Sequence, residues 1–381
     1  MPSSSVMAST VCLGQSPRQC VLRLARRTFA TASVASKDAS QPTTPLRLPK
    51  DRSVRFGFSA GGLLFPFYVG VCRGLEEAGY LSANTKLAGA LTQPLARSRV
   101  HEFIRSFIHS FVRSPGASAG SLIAACVNCG LPMDTVSNLC EDLMDDCRRH
   151  GTRGRLGILL EEFLRTALPE DAHIRCTGQT FVAVSSVESS PRKGLGMLGG
   201  LGNFGNFGNF GTPTGQLVSE FSDRDDLIEA LMTSCHIPLW MDGRLTSSFR
   251  GSMHMDGGVT NFIPLPPDDG TPGVRVSCFG AKQMGLVYDI GIAPDVFEDW
   301  PHSLPTMVQW AYVFSASSRC CQCSYLPTLF RSLTHSLARS ISRFNPAEEH
   351  FQKMLVDRGE SDALSWASQF EAKVVPPPSS Q

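Results

Sequence analysis

The chain has 381 residues, 42% of them hydrophobic and 18% charged, the composition of a globular protein with a sizeable core in one large domain or two modest ones. Its 35 basic and 34 acidic residues nearly cancel, and nothing in that balance fits a nucleic-acid-binding surface. The charge is unevenly placed: residues 1–50 carry seven Lys and Arg against the single acid Asp38, which leaves 28 basic and 33 acidic residues beyond them.

Residues 1–37 contain no acid, are rich in Ser, Ala and Thr, and bear Arg18, Arg23, Arg26 and Arg27. That is the composition of an organelle transit peptide, with cleavage near Ala32–Ser36. A secretory signal needs an uninterrupted apolar stretch, and the arginines break the one candidate. Serine richness places the plastid ahead of the mitochondrion, although Leu22–Phe29 has the pattern of a basic amphipathic helix that favours the second. Residues 38–50 read as a polar, proline-containing linker.

Val54–Phe58 is the first predicted strand. It runs into the glycine loop Ser59-Ala60-Gly61-Gly62 and then a helix over Pro66–Gly79, with proline in its first turn. Residues 56–72 are uncharged, but Gly and Pro interrupt them and they fall short of a bilayer span. Leu87–Ala90 is a short second strand, and Ser118–Cys129 a helix whose small residues allow close packing on a sheet. Asp134 is expected to cap a helix that ends at Gly151, where Arg148, Arg149 and His150 serve the helix dipole rather than a ligand. Phe181–Val187 and Leu217–Phe221 read as strands, and the Asn-Phe-Gly triplet repeated three times from Asn203 loops out between them.

Asp223 caps a helix reaching about Cys235, and Val274–Phe279 is a further strand. Leu329, Leu333, Leu337 and Ile341 recur every fourth residue beside Arg331, His335, Arg339 and Arg343. That basic amphipathic helix fits an anionic lipid surface, and equally a core-packed helix with a solvated face. Ala347–Leu355 continues as a helix before a disordered tail from Pro376. The thirteen cysteines are scattered and read as small buried hydrophobes in a reduced compartment. Cys320-Cys321-Gln322-Cys323 lacks a second ligand pair at zinc-site spacing. Alternating strands and helices give an α/β layered fold with its reactive residue at the carboxyl edge of the sheet.

Three elements carry chemistry. Gly116-Ala117-Ser118-Ala119-Gly120 flanks a serine with small residues, as a tight strand-to-helix turn requires if the hydroxyl is to project beside a helix N-terminus. Asp256-Gly257-Gly258 sets a carboxylate on a loop lean enough to reach that hydroxyl. Exposed N–H groups of the early glycine loop could hold an oxyanion. Nucleophile, base and oxyanion donors together point to an acyl hydrolase. A Ser-His-Asp hydrolase is the rival; it would draw on His302, His335 or His350 after Asp256, while His236 and His254 read as structural.

These residues resemble the patatin-like phospholipase family over roughly residues 54–290. Ser59–Gly62 looks like its oxyanion loop, Gly116–Gly120 its nucleophile elbow, Asp256-Gly257-Gly258 its aspartate motif, and Ser234-Cys235-His236-Ile237-Pro238 the segment preceding that motif. Asp146-Cys147-Arg148-Arg149-His150-Gly151 and Asn345-Pro346-Ala347-Glu348-Glu349 resemble a plant and algal branch. The resemblance implies a three-layer α/β fold with a mostly parallel central sheet flanked by helices. It also implies a Ser118–Asp256 dyad without histidine, calcium, other metal or cofactor. Ser118 would attack an ester carbonyl with Asp256 as base, and the N–H groups of Gly61, Gly62 and Leu63 would hold the oxyanion.

Two departures stand out. Leu64 and Phe65 occupy positions where family members often have a basic residue and a glycine, which blurs phospholipid against neutral-lipid substrates. The 27 residues Leu91–Ala117 separate Leu87-Ala88-Gly89-Ala90 from Ser118-Ala119-Gly120, and joining Ala90 to Ser118 restores the family pattern. We read that segment as a retained intron or similar gene-model artefact; the rival is a true insertion in which Val100–Val112 forms an amphipathic lid. The domain layout is then a catalytic domain over 51–300, with inserts at 91–117 and 189–214, and a helical extension over 301–375. The expected function is hydrolysis of glycerolipid esters (phospholipid, galactolipid or acylglycerol) at a peripheral membrane or lipid-droplet surface. A lipid-binding pseudoenzyme broken by the insertion, and an acyltransferase using the same dyad, are the alternatives.

Overall fold

The computed structural model describes residues 53–89, 119–152, 154–187, 213–237, 241–260, 262–311 and 349–374. The transit peptide and linker, the 91–117 insertion, Gly116 and Ser118, the Asn-Phe-Gly tract, Cys320–Cys323 and the basic helix around Leu329–Arg343 lie outside the described residues. The fold is α/β, a mixed and mostly parallel seven-stranded sheet flanked by helices.

One strand in from one edge of this sheet lies β1 (Arg55–Phe58), every residue of which is buried, as a strand covered on both faces must be. Parallel neighbours sit on both sides: β2 (Leu87–Gly89) and β7 (Gly273–Val276). The charged Arg55 is tolerated because its guanidinium donates to the carbonyls of Pro266 and Pro267, both at 2.7 Å, and pairs with Asp268. Beyond β2 comes β3 (Thr180–Ser186), again parallel, and there the sheet changes character. β4 (Thr214–Val218) and β6 (Ser252–Asp256) both run antiparallel to β3, and β5 (Ser247–Phe249) pairs with β6. The strand expected over Leu217–Phe221 thus lies a few residues earlier, where pairing with β3 closes the hairpin.

A strand has two edges, which fixes how these pieces meet. Val182 pairs with both Gly89 of β2 and Val218 of β4, and Val184 pairs with both Gln216 of β4 and Asp256 of β6. With β4 on one edge, β2 and β6 share the other and approach each other head-on. Asp256 therefore stands about two residue rises, ~7 Å, beyond the end of β2.

Among the described residues the helices are α1 (Phe65–Glu77), α2 (Ala119–Asn128), α3 (Met133–His150), α4 (Leu156–Ala167), α5 (Ala172–Cys176), α6 (Arg224–Ser234), α7 (Ala281–Met284), α8 (Leu304–Ala311) and α9 (Glu349–Val374). All ten residues of α2 are buried, in keeping with a helix apolar on every side. Asp223 caps α6 as expected, its carboxylate accepting from the Asp226 N–H at 2.8 Å. Asp134 does not cap α3. The helix starts one residue earlier behind Pro132, and Asp134 in its first turn pairs with Arg73 of α1 instead. At the far end Gly151 (φ 78°) terminates α3, Arg148 and Arg149 pair with Asp145, and His150 lies 2.9 Å from Asp146.

The last helix is longer than the sequence pattern indicated and is part of the core. Trp366 of α9 meets Phe56 of β1 edge-on at 5.6 Å and Tyr80 at 5.1 Å. The backbones of α1 and α9 almost touch. A Cβ on Gly70 would lie 1.9 Å from the Val356 carbonyl oxygen, and one on Gly359 would lie 2.2 Å from that of Phe67. All eight described cysteines are buried and free of disulfides.

Candidate active site

Two glycines seat α2 on the carboxyl edge of the sheet. A Cβ on Gly89 would fall 2.0 Å from the Ser121 nitrogen, and one on Gly120 would fall 2.4 Å from the Phe58 carbonyl oxygen. The last residue of β2, Gly89, thus lies against the first turn of α2 at Gly120 and Ser121. Ser118, immediately before Ala119 in sequence, is outside the described residues, yet both halves of the expected elbow are in register beside each other. Ser121 of α2 donates to Ser234 at the end of α6, 3.2 Å away, linking the elbow helix to the segment that leads to His236 and Ile237.

Asp256 is wholly buried. Its Oδ1 accepts from the Gly258 N–H at 2.7 Å, its own N–H donates to the His236 carbonyl at 3.1 Å, and its carbonyl accepts from Ser185 Oγ at 2.8 Å. Oδ2 is buried with no hydrogen-bond partner among the described residues. Burial pushes the carboxyl well above the usual carboxylate range, and the Gly258 bond only partly opposes this. Gly257 can be nothing larger, because a Cβ there would sit 2.5 Å from the Ala183 carbonyl oxygen.

The glycine loop ends as a turn of 3-10 helix over Gly62–Leu64. Ser59 and Ala60 spend their N–H groups on the carbonyls of Val276 and Phe262. The next three N–H groups, of Gly61, Gly62 and Leu63, have no backbone partner among the described residues, as donors reserved for a ligand would. Gly62 adopts φ 53°, the left-handed region that glycine enters without cost, and a Cβ on it would lie 2.4 Å from the Ala311 carbonyl oxygen.

Gly62 and Leu63, together with Ala119 and Leu122 of α2, open onto an apolar cavity completed by Leu143 of α3, Leu156, Leu160 and Phe163 of α4, and Ile237. A chamber lined mostly by apolar side chains suits a hydrocarbon chain.

No described histidine bonds the Asp256 carboxyl. His236 turns its Nε2 toward Asp242 at 4.0 Å, and burial lowers its pKa. His254 Nδ1 lies 3.1 Å from the Ser252 carbonyl, and His302 is held among Trp300 and Trp310. The described residues contain no cluster of three or more His, Cys, Asp or Glu placed to hold a metal ion. Sequence reasoning missed Tyr68 and Cys278, which lie under the glycine loop; a hydroxyl in an otherwise apolar helix was their only signal.

Residues 114–269 match the family described as patatin-like phospholipase, and with this fold the chain carries a patatin-like phospholipase domain. The match begins after the glycine loop, inside the span of about 54–290 over which the motifs run. Among curated relatives, omega-hydroxyceramide transacylase of Mus musculus is 24% identical over 269 residues, 69% of this chain and 36% of its own length. A 1-acylglycerol-3-phosphate O-acyltransferase of Mus musculus is 28% identical over 155 residues, 39% of this chain and 32% of its own. Patatin-like phospholipase domain-containing protein 2 of Homo sapiens is 22% identical over 223 residues, 57% of this chain and 34% of its own. The chain spans about a third of the length of these relatives. They are animal proteins and give no support to a plant and algal branch. The Arg148-Arg149-His150 run that prompted that placement is ordinary chemistry at a helix C-terminus.

Proposed function

We propose that the protein is a serine acyl hydrolase acting on ester bonds of glycerolipids, with Ser118 as nucleophile and Asp256 as general base. One observation carries the reading. A fully buried carboxylate, one oxygen fixed by Gly258 and the other unpartnered among the described residues, faces the junction of β2 and α2 across about two residue rises. That is where a base must wait for a serine proton. The three uncommitted N–H groups of the glycine loop and the apolar chamber beside them supply oxyanion donors and an acyl site. Gly116 and Gly120 would form the elbow, and Gly257 and Gly258 aim the carboxylate. No cofactor enters this chemistry.

A second reading has support from the relatives' names, a transacylase and an O-acyltransferase. The acyl-enzyme would then pass its chain to a lipid hydroxyl instead of water. Product analysis with and without a lysolipid acceptor separates the two outcomes. The substrate would be met at a peripheral membrane or lipid-droplet surface. Among the described residues no helix is long and apolar enough to cross a bilayer. We place the protein in an organelle, the plastid ahead of the mitochondrion, on the acid-free composition of residues 1–37. A fluorescent fusion of residues 1–50 should enter an organelle; diffuse cytosolic signal would overturn that placement.

Fluorophosphonate labelling tests the chemistry. The full chain and a version lacking Leu91–Ala117 are each compared with their Ser118→Ala forms. Because Gly89 and Gly120 already lie together, we expect the shortened form to label at Ser118, and the full chain to label wherever the insertion leaves the elbow open. Labelling of neither folded form sinks the hydrolase reading and leaves lipid binding without turnover. Transcripts lacking the 91–117 codons would mark the segment as an artefact.

A further inference from the structure

We propose that Tyr68, Ser59 and Cys278 are positioning residues that aim the Gly61 N–H at the reacting carbonyl, Ser59 and Cys278 by gripping the Ala60 carbonyl from behind and Tyr68 by holding Ser59. The inference rests on the acyl hydrolase reading and extends it to residues that never touch substrate. All three side chains are buried beneath the glycine loop. Ser59 Oγ donates to the Ala60 carbonyl at 2.9 Å, and Cys278 Sγ approaches the same oxygen at 3.8 Å. Tyr68 OH donates to the Ser59 carbonyl at 2.8 Å and lies 2.6 Å from Ser59 Oγ and 3.2 Å from Cys278 Sγ.

The consequence follows from peptide planarity. The Ala60 carbonyl and the Gly61 N–H belong to one rigid trans unit and point in opposite directions. Holding the oxygen down in the cluster turns the hydrogen up and away from it. The following unit is set the same way, since the Gly61 carbonyl accepts from the Leu64 N–H at 3.0 Å and so turns the Gly62 N–H outward. Gly61 itself has no room for a side chain, because a Cβ on it would lie 2.7 Å from Cys278 Sγ and 3.1 Å from the Tyr68 ring. Burial raises the Tyr68 hydroxyl well above its usual range and pushes the Cys278 thiol up to about 12, so both keep their protons at neutral pH.

The test uses the full-length protein with Tyr68→Phe, Ser59→Ala and Cys278→Ser. Turnover of a p-nitrophenyl ester is read alongside hydrogen–deuterium exchange of the peptide covering residues 59–64. Tyr68→Phe and Ser59→Ala should each lower kcat roughly 10- to 100-fold, less than outright loss of an oxyanion donor, with KM within about twofold and faster exchange across the loop. Cys278→Ser keeps a proton donor and should stay within about fivefold of wild type in kcat. Unchanged exchange in both Tyr68→Phe and Ser59→Ala overturns the proposal whether or not the enzyme turns over. A parallel fall in kcat, rise in KM and drop in melting temperature would also overturn it, as a merely structural role. If the wild type is inactive but loop exchange rises in the variants, the grip on the loop stands, while the hydrolase reading and the aim at a reacting carbonyl fall together.

Discussion

Asp256→Asn should remove turnover by a factor of about 10²–10⁴ while leaving the protein folded, and should make it more stable than wild type as pH rises. Asparagine matches the shape of the buried carboxyl, can still accept from the Gly258 N–H through its oxygen, and puts an amide where the unpartnered Oδ2 stood. It cannot take a proton. The sign of the stability effect follows from burial. The folded protein holds the Asp256 proton to a pH well above the usual value, whereas an unfolded aspartate releases it near about 3.9. Between those two points the folded state binds the extra proton, so wild-type stability falls with rising pH through that window. The variant lacks this slope, and the gap in melting temperature should widen from about pH 4 upward. The acid limb of the wild-type kcat/KM profile should likewise lie above the usual carboxylate range. Retention of a tenth of the activity, or a gap that does not change with pH, would remove Asp256 from the role of base.

Gly70→Ala should destabilise the protein by about 2 kcal/mol, lowering Tm by roughly 4–8 °C in a domain of this size. Helix propensity alone predicts the opposite, since alanine is about 1 kcal/mol better than glycine inside a helix. Packing decides the sign. The new methyl would meet the Val356 carbonyl oxygen at 1.9 Å and the Glu360 nitrogen at 2.9 Å. These are backbone atoms of α9 that cannot swing aside as a side-chain tip would, so the whole helix must shift. Gly74 opposite Ala363 and Gly359 opposite Phe67 repeat the contact, so one substitution loosens the length of the crossing. Thermal unfolding of the full chain gives the answer; an increase in Tm would show that α1 and α9 do not meet in solution.

The local signals were legible in the sequence. β1, β2, the Asp223 cap and the Gly151 stop depend on a few neighbouring residues, and all appear where the pattern put them. Asp134 misled because proline two residues earlier already starts the helix, which frees the carboxylate for Arg73. The long reach of α9 was hidden for a different reason. Its buried stripe includes Gln352, Gly359 and Asp362 among the apolar residues, so it lacks the plain hydrophobic periodicity that marks a core helix. The motif residues were found, but the grip on the glycine loop was not. Tyr68 and Cys278 are separated by 210 positions, and no local pattern joins them.

The way the sheet is strung has a consequence for synthesis. β1 emerges early from the ribosome, yet its partner β7 lies more than 200 residues later, and the glycine-marked face of α1 is covered by α9, near the end of the chain. Until then one edge of β1 is unpaired and the glycine-marked face of α1 is bare. Such distant pairings make folding slow and leave nascent chains prone to sticking to one another. A truncated product ending before Glu349 would carry Ser118, Asp256 and the glycine loop, with Phe56, Tyr80 and Gly70 left without their α9 neighbours.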